Sequence, residues 1–208
     1  VASMMFFAYM FVDVLSPLST LLETSKGWSA ESYGTFCSSE YFLNVFAFFL
    51  IFAGIILDKM GIRFTGVLSA TVMVIGASIK LYALSDLFSP DSALYSFLNS
   101  FWVSFPPTAK LASIGFMIFG CGVEMAGVTV SKAIARWFKG KEMALAMGLE
   151  MAIARLGVFA VFRLSPYLST YLNETIPTVV TPVLVCTILL LIGLIAYIVF
   201  TFMDKKLE

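Results

Sequence analysis

Six apolar stretches, each long enough to cross a bilayer, alternate along the chain with short polar or Gly/Pro-bearing breaks. They fall near residues 4–22, 41–57, 64–84, 111–135, 143–167 and 182–203. A hydrocarbon layer about 30 Å thick needs ~20 predominantly apolar residues per helix, and period and length agree with that throughout. The pattern predicts an all-α membrane protein, with residues 1–208 forming one bundle of six transmembrane helices. Breaks such as 23–31 and 173–181 carry the turn-forming residues. The connector at 85–110 is long and aromatic, with Phe88, Tyr95, Phe97, Phe101 and Trp102. It predicts a short helix in the membrane interface, where Trp and Tyr collect.

Charge then orients the bundle. Lys59 and Arg63 lie in the second-to-third connector, Arg136, Lys139 and Lys141 in the fourth-to-fifth, and Lys205 and Lys206 after the last run. The opposite connectors hold Lys26 and Lys110 against Glu23, Glu31, Asp86, Asp91 and Glu174. Basic residues concentrate on the cytoplasmic side, so both termini are expected there. The compact loops suggest a bacterial inner membrane. With 60% hydrophobic and 12% charged residues and a mean hydropathy of +0.97, the lipid bilayer is the expected solvent. Thirteen basic and thirteen acidic residues cancel, which removes the case for nucleic acid as a partner. His is absent, and Cys37, Cys121 and Cys186 lie in separate segments without ligand spacing. Neither a metal site, a disulfide framework nor a cofactor is expected. The first run lacks a small-residue cleavage pattern and reads as a structural helix.

Against this apolar background, Glu124 and Arg155 are the informative residues. Each is about thirteen residues from the 137–142 connector, so on antiparallel helices both lie ~20 Å from the turn at 1.5 Å per residue. An acid and a base at that depth mark a functional site. The Arg155 guanidinium suits a carboxylate as a two-pronged fork, and Glu124 or Asp13 suits an ammonium. Tyr9, one turn before Asp13, is placed to add a ring or hydroxyl to the same cavity. The alternative is a structural Glu124–Arg155 ion pair that locks two helices. Lys80 and Arg163, late in their runs, read as snorkelling cations. Glu150, five residues before Arg155, is rotated roughly 140° from it and reads as a packing or gating contact for Lys132 or Arg136.

The second run closes on Gly54-Ile-Ile-Leu-Asp58-Lys59-Met-Gly61-Ile-Arg63. This resembles the loop pattern Gly-x-Leu-x-Asp-x-x-Gly-x-Arg of the major facilitator superfamily, with Ile56 in place of Leu. The resemblance implies a conformational role for Gly54, Asp58, Gly61 and Arg63; Arg136 is read as a further gating residue from its position at the same end. Gly148 and Gly157 superficially resemble the antiporter pattern of that superfamily, but Val161 and Phe162 replace its Gly-Pro, so close packing is the better account. The stretch Gly120-Cys-Gly122-Val-Glu124, Arg136-Trp-Phe-Lys-Gly-Lys-Glu142 and Ala154-Arg155-Leu-Gly157 is similar to the lysosomal dipeptide transporter branch of the superfamily and its bacterial relatives. That branch implies an acid on helix four and an arginine on helix five holding the charged ends of a dipeptide, matching Glu124 and Arg155. It also implies an acid in helix one near a proline, matching Asp13 and Pro17.

The superfamily has two six-helix halves, each of two three-helix inverted repeats. The chain therefore reads as an amino-terminal half, with a carboxy-terminal half or a second copy as the expected partner. The expected function is alternating-access transport of a small zwitterionic solute, foremost a dipeptide. Another solute (an organic anion, drug or sugar) is the alternative, and an intramembrane enzyme a remote one, since the common hydrolytic elements are missing. A single-span accessory protein accompanies the eukaryotic relatives, but no docking surface for one is legible here. Proton coupling through Glu124 or Asp13 and simple facilitated passage both remain open.

Overall fold

In the computed structural model, residues 2–138, 140, 142–171 and 177–206 are described. Lys139, Lys141 and Glu174, used above to orient the chain, lie outside the described residues. Every regular element among those described is helical: α1 (Ala2–Val12), a 3₁₀ turn (Ser16–Leu18), α2 (Ser19–Lys26), α3 (Ala30–Phe46), α4 (Phe49–Leu84), α5 (Ala93–Asn99), α6 (Pro107–Trp137), α7 (Met143–Tyr171) and α8 (Val180–Lys206). Five segments are single stretches long and apolar enough to span a membrane: Ala2–Lys26, Phe49–Leu84, Pro107–Trp137, Met143–Tyr171 and Val180–Lys206.

The sixth crossing is found by following contacts through α4. Going up in number, Phe36 stacks on Phe116, Glu40 touches Gly120, and Leu57 clusters with Ala133. α3 and the start of α4 thus run parallel to α6. Beyond Gly61 the order reverses, with Ile62 against Ala133, Met73 against Gly122 and Lys80 against Gly115. At Gly61 the backbone leaves the helix with φ 77° and ψ 173°, a region open essentially only to glycine. α4 is therefore the end of the second crossing and the whole of the third, and the bundle has six crossings.

Two predicted boundaries move. The run at 41–57 is helical, but its crossing starts at Ala30, where Ser29 caps the helix by accepting from the Ser32 amide at 3.1 Å. That crossing is also interrupted, since Phe48 has a left-handed backbone at φ 50° between α3 and α4. The run at 4–22 is broken after Val12. Pro17 lacks an amide hydrogen and crowds the preceding turn, and the Ser16 hydroxyl donates to Asp13 Oδ1 at 3.0 Å within the break. The predicted short helix in the 85–110 connector is α5. Its C-terminal carbonyls are capped by Lys110, whose ammonium donates to Leu98 O at 2.5 Å and to Phe101 O.

Ala2 lines a cavity with Phe138 and Glu142, and Arg63 bonds Asp204 near the end of α8. Both ends of the described chain thus lie on the Gly61 side of the bundle. At Gly157 the backbone of α7 meets the Phe6 carbonyl of α1 so closely that a Cβ has no room, which bears out close packing there. Gly148 has open space beside it. Replacing Gly61 by Ala should lower stability by about 1–3 kcal/mol through backbone strain alone. Thermal unfolding in detergent checks this, and an unchanged midpoint would remove the strain assignment.

Candidate functional site

Arg155 is carried by α7 on a face where Ala154 and Gly157 pack inward and Arg155 itself is exposed. Its guanidinium carbon lies 5.3 Å from the centre of the Tyr9 ring on α1, a cation–π arrangement. A small cavity of about 180 Å³ opens here between Met5 and Tyr9 of α1, Gly127 and Ser131 of α6, and Glu150, Met151, Ala154 and Arg155 of α7. Ligand sites usually measure ~300–1,000 Å³, so this cavity is smaller than most of them. Tyr9 and Arg155 are brought together as the sequence suggests. Glu150 is a correction: it shares this cavity with Arg155, because the cavity straddles the α6–α7 seam and accepts long side chains from both flanks of the helix. Lys132, proposed as its contact, is paired with Asp58.

Glu124 does not join Arg155. It is half-buried on α6, and among the described residues no ion pair or hydrogen bond links the two, so the alternative of a locking ion pair has no geometric support. Glu124 lies one turn beyond Gly120, the residue of α6 against which Glu40 of α3 packs. Glu40 is only 5% exposed and packs its stem against Gly120, where a Cβ would collide with the Glu40 carbonyl. Asp13, in the break after α1, accepts from Ser16, and Tyr33 of α3 donates to Ser16 Oγ at 3.5 Å.

Lys80 overturns its sequence reading. Rather than snorkelling, it is fully buried, with its ammonium 4.5 Å from the Phe11 ring, 5.1 Å from Phe36 and 4.3 Å from Phe116. Its helix position explains this: Met73, Gly76, Ala77, Lys80 and Leu84 form the stripe of α4 that faces inward. Distance from the end of an apolar run predicts snorkelling only when the residue is on the lipid face. Glu40 was missed for a different reason. It precedes the apolar run, in Ser38-Ser39-Glu40-Tyr41, and reads as connector until the helix is known to start ten residues earlier. Arg163 is exposed beside Tyr167.

The loop at the Gly61 end is held by two ion pairs. Lys132 of α6 donates to Asp58 Oδ1 at 2.6 Å, with side chains 44% and 78% exposed. Arg63 donates through Nε to Asp204 Oδ2 at 2.5 Å and through a second nitrogen to the Asp204 carbonyl at 3.0 Å. The Asp204 side chain is only 3% exposed. Asp58 thus has a partner on another helix, and Arg63 ties the start of the third crossing to the end of the sixth. Gly54 has open space beside it, so nothing within the bundle requires a glycine there. Arg136 is exposed at the same end.

A six-crossing helical bundle closed at one end by this loop defines the class. Residues 1–207 match the Major Facilitator Superfamily, and the chain belongs to it as a multi-pass membrane protein. Among curated proteins it is similar to the lysosomal dipeptide transporter MFSD1 of Homo sapiens, 25% identical over 76% of this chain and 31% of the relative. The Danio rerio protein of that name is 28% identical over 79% of this chain and 32% of the relative. The Mus musculus protein is 33% identical over 55% and 20%. The chain thus spans about a third of the length of the first two relatives and a fifth of the third. No solved structure matches it.

The two ion pairs should respond differently to truncation. Arg63→Ala leaves a buried carboxylate without its partner and should cost about 3–5 kcal/mol, whereas Lys132→Ala should cost about 0–1 kcal/mol. Parallel denaturation of the two variants checks the contrast, and equal losses would contradict the burial argument.

Proposed function

We propose that the chain is the amino-terminal half of a secondary transporter that moves a small zwitterionic solute, foremost a dipeptide, by alternating access. The observation that carries this reading is Arg155: exposed within an otherwise apolar helix, stacked on Tyr9 and not neutralised by Glu124. A guanidinium so placed is free to take a substrate carboxylate as a fork, while Glu124 and Asp13 accept the ammonium. The printed name of the curated relatives supports the same substrate class. The cavity is one wall of a site, and the carboxy-terminal half, or a second copy, supplies the opposite wall. Membership of the family supports transport rather than catalysis.

The excess of basic residues at the Gly61 end supports a cytoplasmic position for both termini, in a bacterial inner membrane. Asp58, Gly61 and Arg63 then form the conformational loop, with Gly54 and Arg136 beside it. The Lys132–Asp58 pair, being exposed, breaks and reforms at low cost, as a latch must.

Liposomes containing the full-length parent protein, offered dipeptides, free amino acids and sugars, test the reading. Dipeptide uptake should fall at least 100-fold in Arg155→Ala while the protein remains folded. Normal uptake in that variant would remove Arg155 from the site, and uptake of sugars alone would replace the substrate class. Asp58→Asn should slow turnover several-fold with little change in KM; a pure loss of affinity would contradict the latch.

A further inference from the structure

Lys80 is 0% exposed, and its ammonium has no hydrogen-bond partner among the described residues. Phenyl rings surround it from three other elements, Phe11 of α1, Phe36 of α3 and Phe116 of α6, at 4.5, 5.1 and 4.3 Å from their centres. Ring faces stabilise a cation but do not balance its charge. A buried charge persists only where an opposite charge compensates it. The titratable groups that bear on Lys80 are Glu40 and Cys37 from α3, Cys186 from α8 and Asp13 from the end of α1. From α6, Glu124 bears on Glu40 in turn. Glu40 lies one turn beyond Phe36 on α3 and packs on Gly120, one turn beyond Phe116 on α6, so this buried acid borders the cage; Asp13, a candidate substrate contact, follows Phe11 by two residues.

We propose that Lys80 is a positioning residue for the transport site: its caged ammonium is the counter-charge of the buried acid Glu40, and so holds α3 against α1 and α6 in the arrangement that presents carboxylates to a substrate ammonium. This rests on the transporter reading but not on the identity of the solute. Lys80 itself touches no substrate, since it is sealed from the cavity that holds Arg155. Its effect passes through the acids. When the counter-charge is removed, a buried carboxylate escapes its penalty by taking up a proton, and the site loses negative charge.

Two measurements on the full-length parent test this. In liposomes, alanylalanine uptake by Lys80→Met should show its acidic limb displaced to higher pH by about one to two units, the size expected for losing a nearby opposite charge. In detergent, the stability deficit of Lys80→Met relative to native protein should widen from pH 5 to pH 8, because charging an uncompensated buried acid costs more as pH rises. The double variant Lys80→Met/Glu40→Gln removes a partner carboxylate as well and should recover much of the deficit at pH 8. A purely structural lysine would instead give a deficit equal at every pH, an unmoved uptake profile and no recovery in the double variant, and any of these overturns the proposal. If the native protein takes up no alanylalanine, the dipeptide reading fails while the unfolding arm still decides the role of Lys80. If Lys80→Met alone does not fold at pH 8, folding of the double variant at that pH supports the counter-charge and its failure refutes it.

Discussion

The close approach of α4 to α6 is the constraint on which the other placements depend. Gly76 and Gly115 oppose each other across this contact, and a Cβ on Gly115 would sit 2.7 Å from the Gly76 carbonyl and from the Lys80 amide. Helices in lipid gain little from burying apolar surface, so small residues that let backbones approach set their association. Here that approach has a chemical consequence, because Lys80 lies one turn beyond Gly76 on the same stripe. Bringing α4 against α6 necessarily drives the Lys80 side chain into the bundle. α3 then closes over it through the Glu40–Gly120 contact, which brings Phe36 and an acid to the same place. A seam of glycines thus fixes where the buried charge must be.

Charge in the molecule is partitioned by depth. At the Gly61 end, Asp58, Lys132, Arg63 and Asp204 make direct ion pairs. In the interior, Lys80, Glu40, Glu124 and Asp13 make no direct ion pair among the described residues, and Arg155 stacks on the Tyr9 ring. A direct pair fixes one geometry and is costly to break when buried, whereas charges that meet only through the low-dielectric interior allow the helices carrying them to shift. The direct pair that is solvent-exposed, Lys132–Asp58, sits beside the turn at Gly61. The buried one, Arg63–Asp204, clamps the third crossing to the sixth. The loop therefore has one buried ion pair and one solvent-exposed ion pair.

How much of this is legible in sequence depends on whether the signal is local. Apolar run length finds each crossing because the bilayer imposes it on every helix independently. The tight turn at Gly61 is legible because its glycine and its flanking charges are adjacent in the chain. Tyr9 and Arg155 come together on different helices, and only their similar depth hints at it. The start of α3 is not legible by hydropathy, since residues 30–40 hold Glu31, Ser32, Thr35, Ser38, Ser39 and Glu40, a composition that elsewhere would be a loop. Those residues are helical because Ser29 caps them and because Phe36 and Glu40 have α6 to pack against. With the crossing misplaced, Glu40 was invisible. Lys80 was visible but assigned to the wrong face, although the stripe of Met73, Gly76, Ala77 and Leu84 around it carried the correct one.

The separation of Glu124 from Arg155 bears on how such a site works. Had they paired, each substrate charge would have to displace a partner, and the binding energy would be reduced by the pair it broke. Instead the acid belongs to the α3–α6 side of the bundle, and the base to the α1–α7 side, stacked on Tyr9. A zwitterion that engages both must bridge two helix groups that share no ion pair of their own. Its binding is then coupled to the relative placement of those groups, because only some arrangements set the acid and base at the span of the ligand. That is a differential interaction between conformations, the property a ligand needs if it is to shift a population between them. On the proposed reading alternating access requires it of the substrate, and α1, α6 and α7 carry the two charges with no ion pair between them among the described residues.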